Sequence, residues 1–166
     1  MRLCVSDSVL WDYNAETPCH RASGGMHSSA CHLCAALARL GHDIVLLTHT
    51  SEPGLRLGVE CVSWRDLSAV TELRYRGFDA VVSLTANPFP LRDLFGADMA
   101  LFLWTGHADD QPPVECLTHA EVRDAWSGFI FASEWQRGRF IERFALSPAR
   151  TSVLRYAIAP VFEKPG

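Results

Sequence analysis

The chain has 166 residues, of which 48% are hydrophobic and 20% charged, and its net charge is −4 at pH 7. This length is that of about one domain, and the ordinary composition excludes a disordered or fibrous protein. Nucleic-acid binders usually carry a basic excess, so the acidic balance predicts that no nucleic acid is bound. Apolar runs are far shorter than the ~20 residues of a membrane span, and the N-terminus lacks an apolar signal-peptide core. We therefore expect a cytoplasmic location.

Short apolar strands alternate with amphipathic helices along the chain. Strands are predicted at residues 3–6, 44–48, 59–64, 79–84, 99–104, 128–132 and 151–156. Helices are predicted at residues 25–40, 67–76, 91–95, 112–126 and 133–145. Residues 44–48 are apolar on both faces, which is typical of a parallel strand covered by helices on both sides. The alternation predicts an α/β fold with a doubly wound, mostly parallel, Rossmann-like sheet in a three-layer α/β/α sandwich.

Three of the predicted helices have recognisable ends, and two of them have a predicted apolar face. Gly41 is expected to end the first helix as a left-handed cap residue, and Gly77 to end the second. Ser133 and Gln136 have the spacing of a capping box at the start of the last helix. The apolar face of the first helix is predicted to consist of Met26, Ala30, Leu33, Leu37 and Leu40. That of the last helix is predicted to consist of Trp135, Phe140 and Phe144.

Gly24 and Gly25 lie where the loop after the first strand meets the first helix. Glycines there allow a close approach of backbone or ligand, and the N–H groups of a helix start bind anions. The dinucleotide fingerprint G-x-G-x-x-G and the P-loop are both absent. A structural turn and a ligand-binding loop are equally good interpretations of this pair.

The six cysteines are expected to be reduced and mostly in the core, because the chain carries no export signal. On the first helix His27, Cys31 and Cys34 point within roughly 60° of one another. Together with Cys19 or His20 they could form a zinc site. The spacing lacks a second Cys-x-x-Cys pair, so small buried cysteines packed against the sheet are the favoured interpretation. We expect no metal.

Polar residues follow the fifth and sixth predicted strands. His107, Asp109 and Asp110 come directly after the fifth strand, and ligands of open α/β sheets bind at the carboxyl ends of strands. Histidine also suits proton handling near neutral pH. A merely polar loop is the alternative for this segment. Glu134 follows the sixth strand in the first turn of a helix, where it suits the helix dipole, and only its place at the sheet edge indicates a site.

Three segments resemble the N-terminal half of the family 4, GT-B-fold glycosyltransferases. Residues 40–48, Leu-Gly-His-Asp-Ile-Val-Leu-Leu-Thr, are similar to the R-G-H-x-V-x-V stretch of that family. Residues 129–137 resemble its V-x-x-S-x-x-x strand-to-helix corner, and residues 151–162 resemble the V-I-x-N-G-I-D-x-x-x-F segment that closes its N-terminal domain. The resemblance implies a Rossmann-like, acceptor-side domain at residues 1–162, followed by a tail or interdomain linker at residues 163–166.

The resemblance implies retaining transfer of a sugar from a nucleotide-sugar donor to a carbohydrate or glycoconjugate acceptor, without a cofactor. In the family a C-terminal domain holds the donor phosphates. Because this chain ends before such a domain, we expect it to be inactive alone. A peripheral membrane contact of the full protein is left open.

Individual residues carry over from the family pattern. Gly24 and Gly25 match the family's Gly-Gly loop beside the donor phosphate and sugar. His107 matches the histidine that contacts the transferred sugar, and it is the candidate catalytic residue. Carboxylates suit sugar hydroxyls as hydrogen-bond acceptors. The candidates for that binding role are Asp12, Asp109, Asp110 and Glu134.

Two other functions compete with glycosyl transfer. The first is a non-catalytic module that binds a glycan or a partner protein, which an exposed apolar patch near Val161 and Phe162 would favour. The second is a nucleotide-dependent oxidoreductase of Rossmann type, against which the missing G-x-G-x-x-G fingerprint argues.

Overall fold

The computed structural model describes residues 1–156, which contain one sheet of eight strands. The strands are Arg2–Ser6 (β1), Asp43–Thr48 (β2), Gly54–Arg56 (β3), Val59–Ser63 (β4), Ala80–Ser83 (β5), Leu101–Thr105 (β6), Gly128–Phe131 (β7) and Thr151–Val153 (β8). Their order across the sheet is β3-β4-β2-β1-β5-β6-β7-β8. Every neighbouring pair is parallel except β3 with β4. This confirms the predicted doubly wound, mostly parallel sheet.

Helices cover both faces of the sheet. They are Thr17–His20 (α1), Gly25–Arg39 (α2), Leu67–Leu73 (α3), Phe89–Phe95 (α4), Ala120–Asp124 (α5) and Glu134–Phe144 (α6). Alternate residues of β2 enter different apolar clusters, because successive side chains of a strand point to opposite faces. Ile44 and Leu46 pack with α2, whereas Val45 and Leu47 belong to the cluster of α3 to α6. The three-layer sandwich is thereby confirmed.

The structure corrects several predicted boundaries. The prolines Pro112 and Pro113 open a 3₁₀ helix, Pro112–Thr118, and extended backbone at His119 separates it from α5. Residues 112–126 are therefore not one helix. The last strand has three residues instead of the six predicted. The short strand β3 and the one-turn helix α1 were not predicted, since neither has enough residues to show a hydrophobic period.

Both predicted helix faces are partly wrong. Leu40 at the C-terminal end of α2 is 74% exposed, and α2 packs on the sheet through the small residues Ala30, Cys31, Cys34 and Ala35. Trp135 in the first turn of α6 is 69% exposed. The end predicted at Gly41 is confirmed, since Gly41 follows the last residues of α2 with a positive φ angle of 86°, a region in which glycine has no Cβ penalty. The end predicted at Gly77 is wrong, because α3 stops at Leu73 with Arg74 as its cap, so residues 74–76 are not helical.

Four cysteines are buried as expected, and none of the six is in a disulfide. Burial raises the pKa of Cys4 and of Cys31 to about 12. Because only the thiolate is a good nucleophile, these thiols are expected to be unreactive in the folded chain.

Thiol labelling tests this arrangement. With iodoacetamide at pH 8 we expect fast modification of the exposed Cys19 alone and slow modification of the half-buried Cys116. The variant Cys19→Ser should lose the fast phase, and denatured protein should label at all six positions. Fast labelling of Cys4 or Cys34 in the folded chain would contradict the packing of the core.

Within residues 1–156, no helix is both long and apolar enough to cross a membrane. The apolar patch expected near Val161 and Phe162, and the domain boundary expected at residue 162, lie outside the described residues.

Candidate functional site

The chain reverses its direction of winding across the sheet between β1 and β5. From β1 it proceeds outward through β2 to β4, and it then returns to β5 on the other side of β1. The loops after β1 and β5 begin on the two sides of this reversal, at the carboxyl ends of the strands, which is where open α/β sheets bind ligands. Ser8 Oγ and Thr85 Oγ1, one from each loop, are in hydrogen-bond contact 3.1 Å apart.

A buried carboxylate lies at the end of β1. Asp7 is fully buried and accepts hydrogen bonds from Tyr13 Oη at 2.7 Å and from the Val9 N–H at 3.0 Å. His27 Nε2 lies 3.1 Å from the same carboxylate. Burial alone would raise the pKa of Asp7, but the hydrogen bonds from His27, Val9 and Tyr13 lower it below its ordinary value. Asp7 therefore stays ionised and orients the ring of His27.

His27 has one ring nitrogen without a partner among residues 1–156. This nitrogen, Nδ1, is buried, and an unpaired buried polar atom is costly. The ring is enclosed by Trp11, with centroids 4.7 Å apart, and by the edge of Tyr13 at 5.0 Å. When Nε2 donates to Asp7, Nδ1 carries the lone pair and can accept a hydrogen bond.

A cavity of about 550 Å³ opens beside this histidine, between the loop after β1 and the start of α2. Its lining includes Trp11, Asp12, Tyr13, Arg21, Gly24 and His27. The candidate Asp12 is anchored at the rim, because its carboxylate accepts hydrogen bonds from Ser51 N at 2.8 Å and Ser51 Oγ at 2.6 Å. The volume lies within the ~300–1,000 Å³ of small-ligand sites.

The two candidate glycines have different surroundings. A Cβ atom on Gly24 would lie 2.8 Å from His27 Nδ1 and 3.4 Å from the ring of Trp11. Such a contact is too short without a shift of the histidine, so the close packing of this loop against His27 Nδ1 requires glycine at position 24. A Cβ atom on Gly25 would meet nothing within 4 Å. Gly25 therefore presents its backbone to open space at the first turn of α2.

The loop after β6 holds His107 beside the start of α2 but outside the cavity. A Cβ atom on Gly106 would lie 3.1 Å from Met26 Sδ, which shows how closely this loop approaches α2. His107 Nδ1 contacts Gln111 Oε1 at 3.1 Å. The structure thus separates two groups of candidates, with Asp12 and Gly24 at the cavity and His107 on the neighbouring loop.

Gln136 fixes the backbone of the His107 loop. Its side-chain Nε2 donates to the carbonyl of His107 at 2.7 Å and to that of Thr105 at 3.1 Å, while its Oε1 accepts from the Ala132 N–H at 2.7 Å. The predicted capping box is therefore half correct. Ser133 Oγ caps α6 by accepting from the Gln136 N–H, but the Gln136 side chain turns inward and does not reach back to Ser133.

The remaining carboxylate candidates differ in availability. Asp109 is buried and forms a two-point ion pair with Arg139, at 3.1 and 3.3 Å, so its oxygens are engaged within the fold. Glu134 is exposed and pairs with Arg137 at 3.0 Å. Asp110 is exposed, and within residues 1–156 its carboxylate makes no hydrogen bond or ion pair. Of the three, Asp110 has the most accessible carboxylate.

The cluster of His27, Cys31 and Cys34 divides into separate contacts. His27 pairs with Asp7, and the Cys31 thiol donates to the carbonyl of Asn14 at 3.3 Å. Cys34 is buried in the core. In the part of the chain that the structure describes, no three His, Cys, Asp or Glu side chains are grouped so that they could hold a metal ion.

Sequence reasoning overlooked Asp7, Trp11 and Gln136. Asp7 directly follows β1, so the carboxyl-edge rule that selected His107 could have selected it too. Trp11 carried no signal, because a tryptophan in a polar loop belongs to no periodic pattern. The capping position of Gln136 already explained its presence in the sequence. Its side-chain contact with the His107 loop, about 30 residues earlier in the chain, was therefore not considered.

Of the comparisons with known proteins, the one with solved structures gives a match. No protein-family profile and no curated protein sequence matches the chain. Among solved structures, the chain is similar to WaaG, a glycosyltransferase involved in lipopolysaccharide biosynthesis, with a TM-score of 0.57 over 94% of this chain. The chain has a glycosyltransferase-like fold. The sequence identity with WaaG is 14%, and the matched region spans 46% of the WaaG chain.

Proposed function

We propose that this chain is the N-terminal, acceptor-side domain of a retaining glycosyltransferase of the GT-B type, which uses a nucleotide-sugar donor. The observation that carries the proposal is the match of nearly the whole chain to less than half of a glycosyltransferase. The resemblance of three segments to family 4 supports the same assignment. A second, donor-binding domain would complete the enzyme.

The arrangement of groups suits this chemistry. Gly25 offers unobstructed backbone at the start of α2, where the N–H groups of a helix favour the negative charge of a leaving phosphate. His107 projects from the adjacent loop, whose backbone Gln136 holds at two carbonyls. In the proposed role, His107 hydrogen-bonds the transferred sugar as charge develops during transfer. The accessible carboxylate of Asp110 would accept a hydrogen bond from a sugar hydroxyl.

A transfer assay tests the proposal. The protein as the whole gene encodes it is incubated with UDP-glucose, UDP-galactose, UDP-N-acetylglucosamine or GDP-mannose and an array of glycans. We expect one donor to release its nucleoside diphosphate and the variant His107→Ala to lose most of that activity. The 166-residue chain alone is expected to be inactive, because in the proposed enzyme the donor phosphates are bound by the second domain. Turnover by the chain alone would contradict the need for a second domain.

A non-catalytic glycan-binding module is the second candidate. It is favoured by the cavity of about 550 Å³ beside Trp11, whose lining includes residues of the loop after β1 and of the start of α2. The same assay distinguishes the two functions. A binding module would bind a glycan of the array both as the whole protein and as the 166-residue chain, and neither form would consume a donor.

A further inference from the structure

The side chain of Gln111 lies between the ring of His107 and the backbone of the same loop. Its Oε1 is 3.0 Å from the Ala108 nitrogen and 3.1 Å from His107 Nδ1. The Gln111 N–H in turn donates to the Ala108 carbonyl at 3.2 Å. Gln111 is thus attached to Ala108 through both its backbone and its side chain, and this fixes the direction from which its amide meets the histidine.

The Ala108 N–H decides which atom of the Gln111 amide faces the histidine. A backbone N–H can only donate a hydrogen bond, so the amide atom that it meets is the oxygen. This oxygen can accept from two donors, and it has no hydrogen to offer the ring of His107. The bond to the ring therefore requires a hydrogen on Nδ1. A neutral imidazole carries a single N–H, so its lone pair is then on Nε2.

The backbone of His107 is held independently of its ring. Its N–H donates to Thr105 Oγ1 at 3.1 Å, and its carbonyl accepts from Gln136 Nε2 at 2.7 Å. Within residues 1–156, the only hydrogen bond of the imidazole is the one to Gln111. Gln111 is therefore the residue of the described chain that sets the direction and the protonated nitrogen of this ring, and Nε2 is left for a ligand.

We infer that Gln111 is a positioning residue, which holds His107 in the tautomer protonated at Nδ1 so that Nε2 accepts a hydrogen bond from a ligand hydroxyl. An ionised phosphate oxygen has no hydrogen to donate, so the lone pair of Nε2 favours a hydroxyl over a phosphate as its partner. That the hydroxyl belongs to the transferred sugar rests on the proposed function. The tautomer does not, because it follows from contacts within the loop.

Nitrogen NMR of the ¹⁵N-labelled 166-residue chain tests the tautomer. At about pH 8 an ordinary histidine is neutral, and two-bond ¹⁵N–¹H correlations distinguish the protonated from the unprotonated ring nitrogen. A free histidine side chain prefers protonation at Nε2. We expect His107 to favour protonation at Nδ1, whereas the exposed His32 of α2 should keep the ordinary preference.

Variants of Gln111 separate the amide oxygen from the rest of the side chain. Gln111→Leu removes the acceptor and should lower the ratio of the Nδ1–H to the Nε2–H form of His107 about fivefold, the effect of one net hydrogen bond. Gln111→Glu keeps an oxygen at this place and should retain the Nδ1–H form. The matched control Glu115→Leu adds a leucine at an exposed position of the 3₁₀ helix that follows, and it should leave the ratio unchanged.

Two results would overturn the inference. One is an equal ratio in the wild type and in Gln111→Leu, with melting temperatures showing that both are folded. The other is a wild-type His107 protonated mainly at Nε2, which needs no variant to be observed.

Kinetics of the whole protein connect the tautomer to sugar transfer. With the donor found in the assay above, Gln111→Leu should lower kcat about fivefold with little change in KM, because the bond to His107 strengthens as charge develops. Gln111→Glu should restore most of kcat. An unchanged kcat in Gln111→Leu would refute the positioning role and leave the glycosyltransferase assignment intact. The expected tautomers in a whole protein that consumes no donor would support the role of Gln111 and refute the assignment.

Discussion

Replacing Asp7 by alanine is expected to lower the free energy of unfolding by about 3–5 kcal/mol, because each donor left without its buried acceptor costs about 1–3 kcal/mol. Three groups lose their acceptor at once: His27 Nε2, Tyr13 Oη and the Val9 N–H. Urea unfolding at pH 7 measures the effect. The control Asp98→Ala removes an exposed carboxylate and should change the free energy by less than about 0.5 kcal/mol.

The same carboxylate predicts a pH dependence. The pKa of Asp7 in the folded chain lies below its ordinary value of 3.8, so the ionised form stabilises the fold. That contribution is complete above pH 3.8, and it is lost as the pH falls through 3.8 toward the lower pKa of the folded state. Asp7→Asn cannot ionise and lacks this contribution. The stability difference between wild type and Asp7→Asn should therefore shrink in acid, and a difference that stays constant to pH 2 would contradict the role of Asp7.

Replacing Gln136 by leucine is expected to lower the free energy of unfolding by about 2–3 kcal/mol. The carbonyls of Thr105 and His107 and the Ala132 N–H all lose their side-chain partner. Leucine is close to glutamine in volume, so the loss is expected to come mainly from the hydrogen bonds. The amide resonances of residues 105–108 should shift, since the His107 loop loses its attachment to α6.

Gln111→Leu is the matched control for that experiment. Gln111 also contacts the His107 loop, at His107 Nδ1 and the Ala108 N–H, but it is exposed. Water can replace its hydrogen bonds, so we expect its loss to destabilise the chain far less than Gln136→Leu. Equal destabilisation by the two variants would show that the buried bonds of Gln136 do not hold the loop.

The sheet and its helices were predictable because their signals are local. The unbroken apolar run of β2 shows in the sequence that helices cover both faces, and Ser133 and Gly41 mark helix ends through their own backbone preferences. The sequence-derived architecture was confirmed for this reason. Errors occurred where the local signal is weak, as in the three-residue strand β3 and the single turn of α1.

The candidate site was predictable only in its location. The carboxyl-edge rule selected His107, and the Gly-Gly turn before the first helix selected Gly24 and Gly25; the structure places all three around the start of α2. The partners of these residues depend on contacts across the sequence. Asp109 meets Arg139, 30 residues later, and Gln136 meets the loop at Thr105. No periodicity or short motif predicts such pairs, so the ion pair of Asp109 and the hydrogen bonds of Asp7 could be found only from coordinates.

The configuration of the transferred sugar tests the central claim most directly. The whole protein is supplied with the α-linked donor that it consumes in the assay above, and proton NMR records the anomeric coupling of the first product formed. Retaining transfer predicts an α-glycoside, with formation dependent on His107. A β-glycoside would contradict the retaining mechanism, and the absence of any glycoside product with every donor would contradict the assignment as a glycosyltransferase domain.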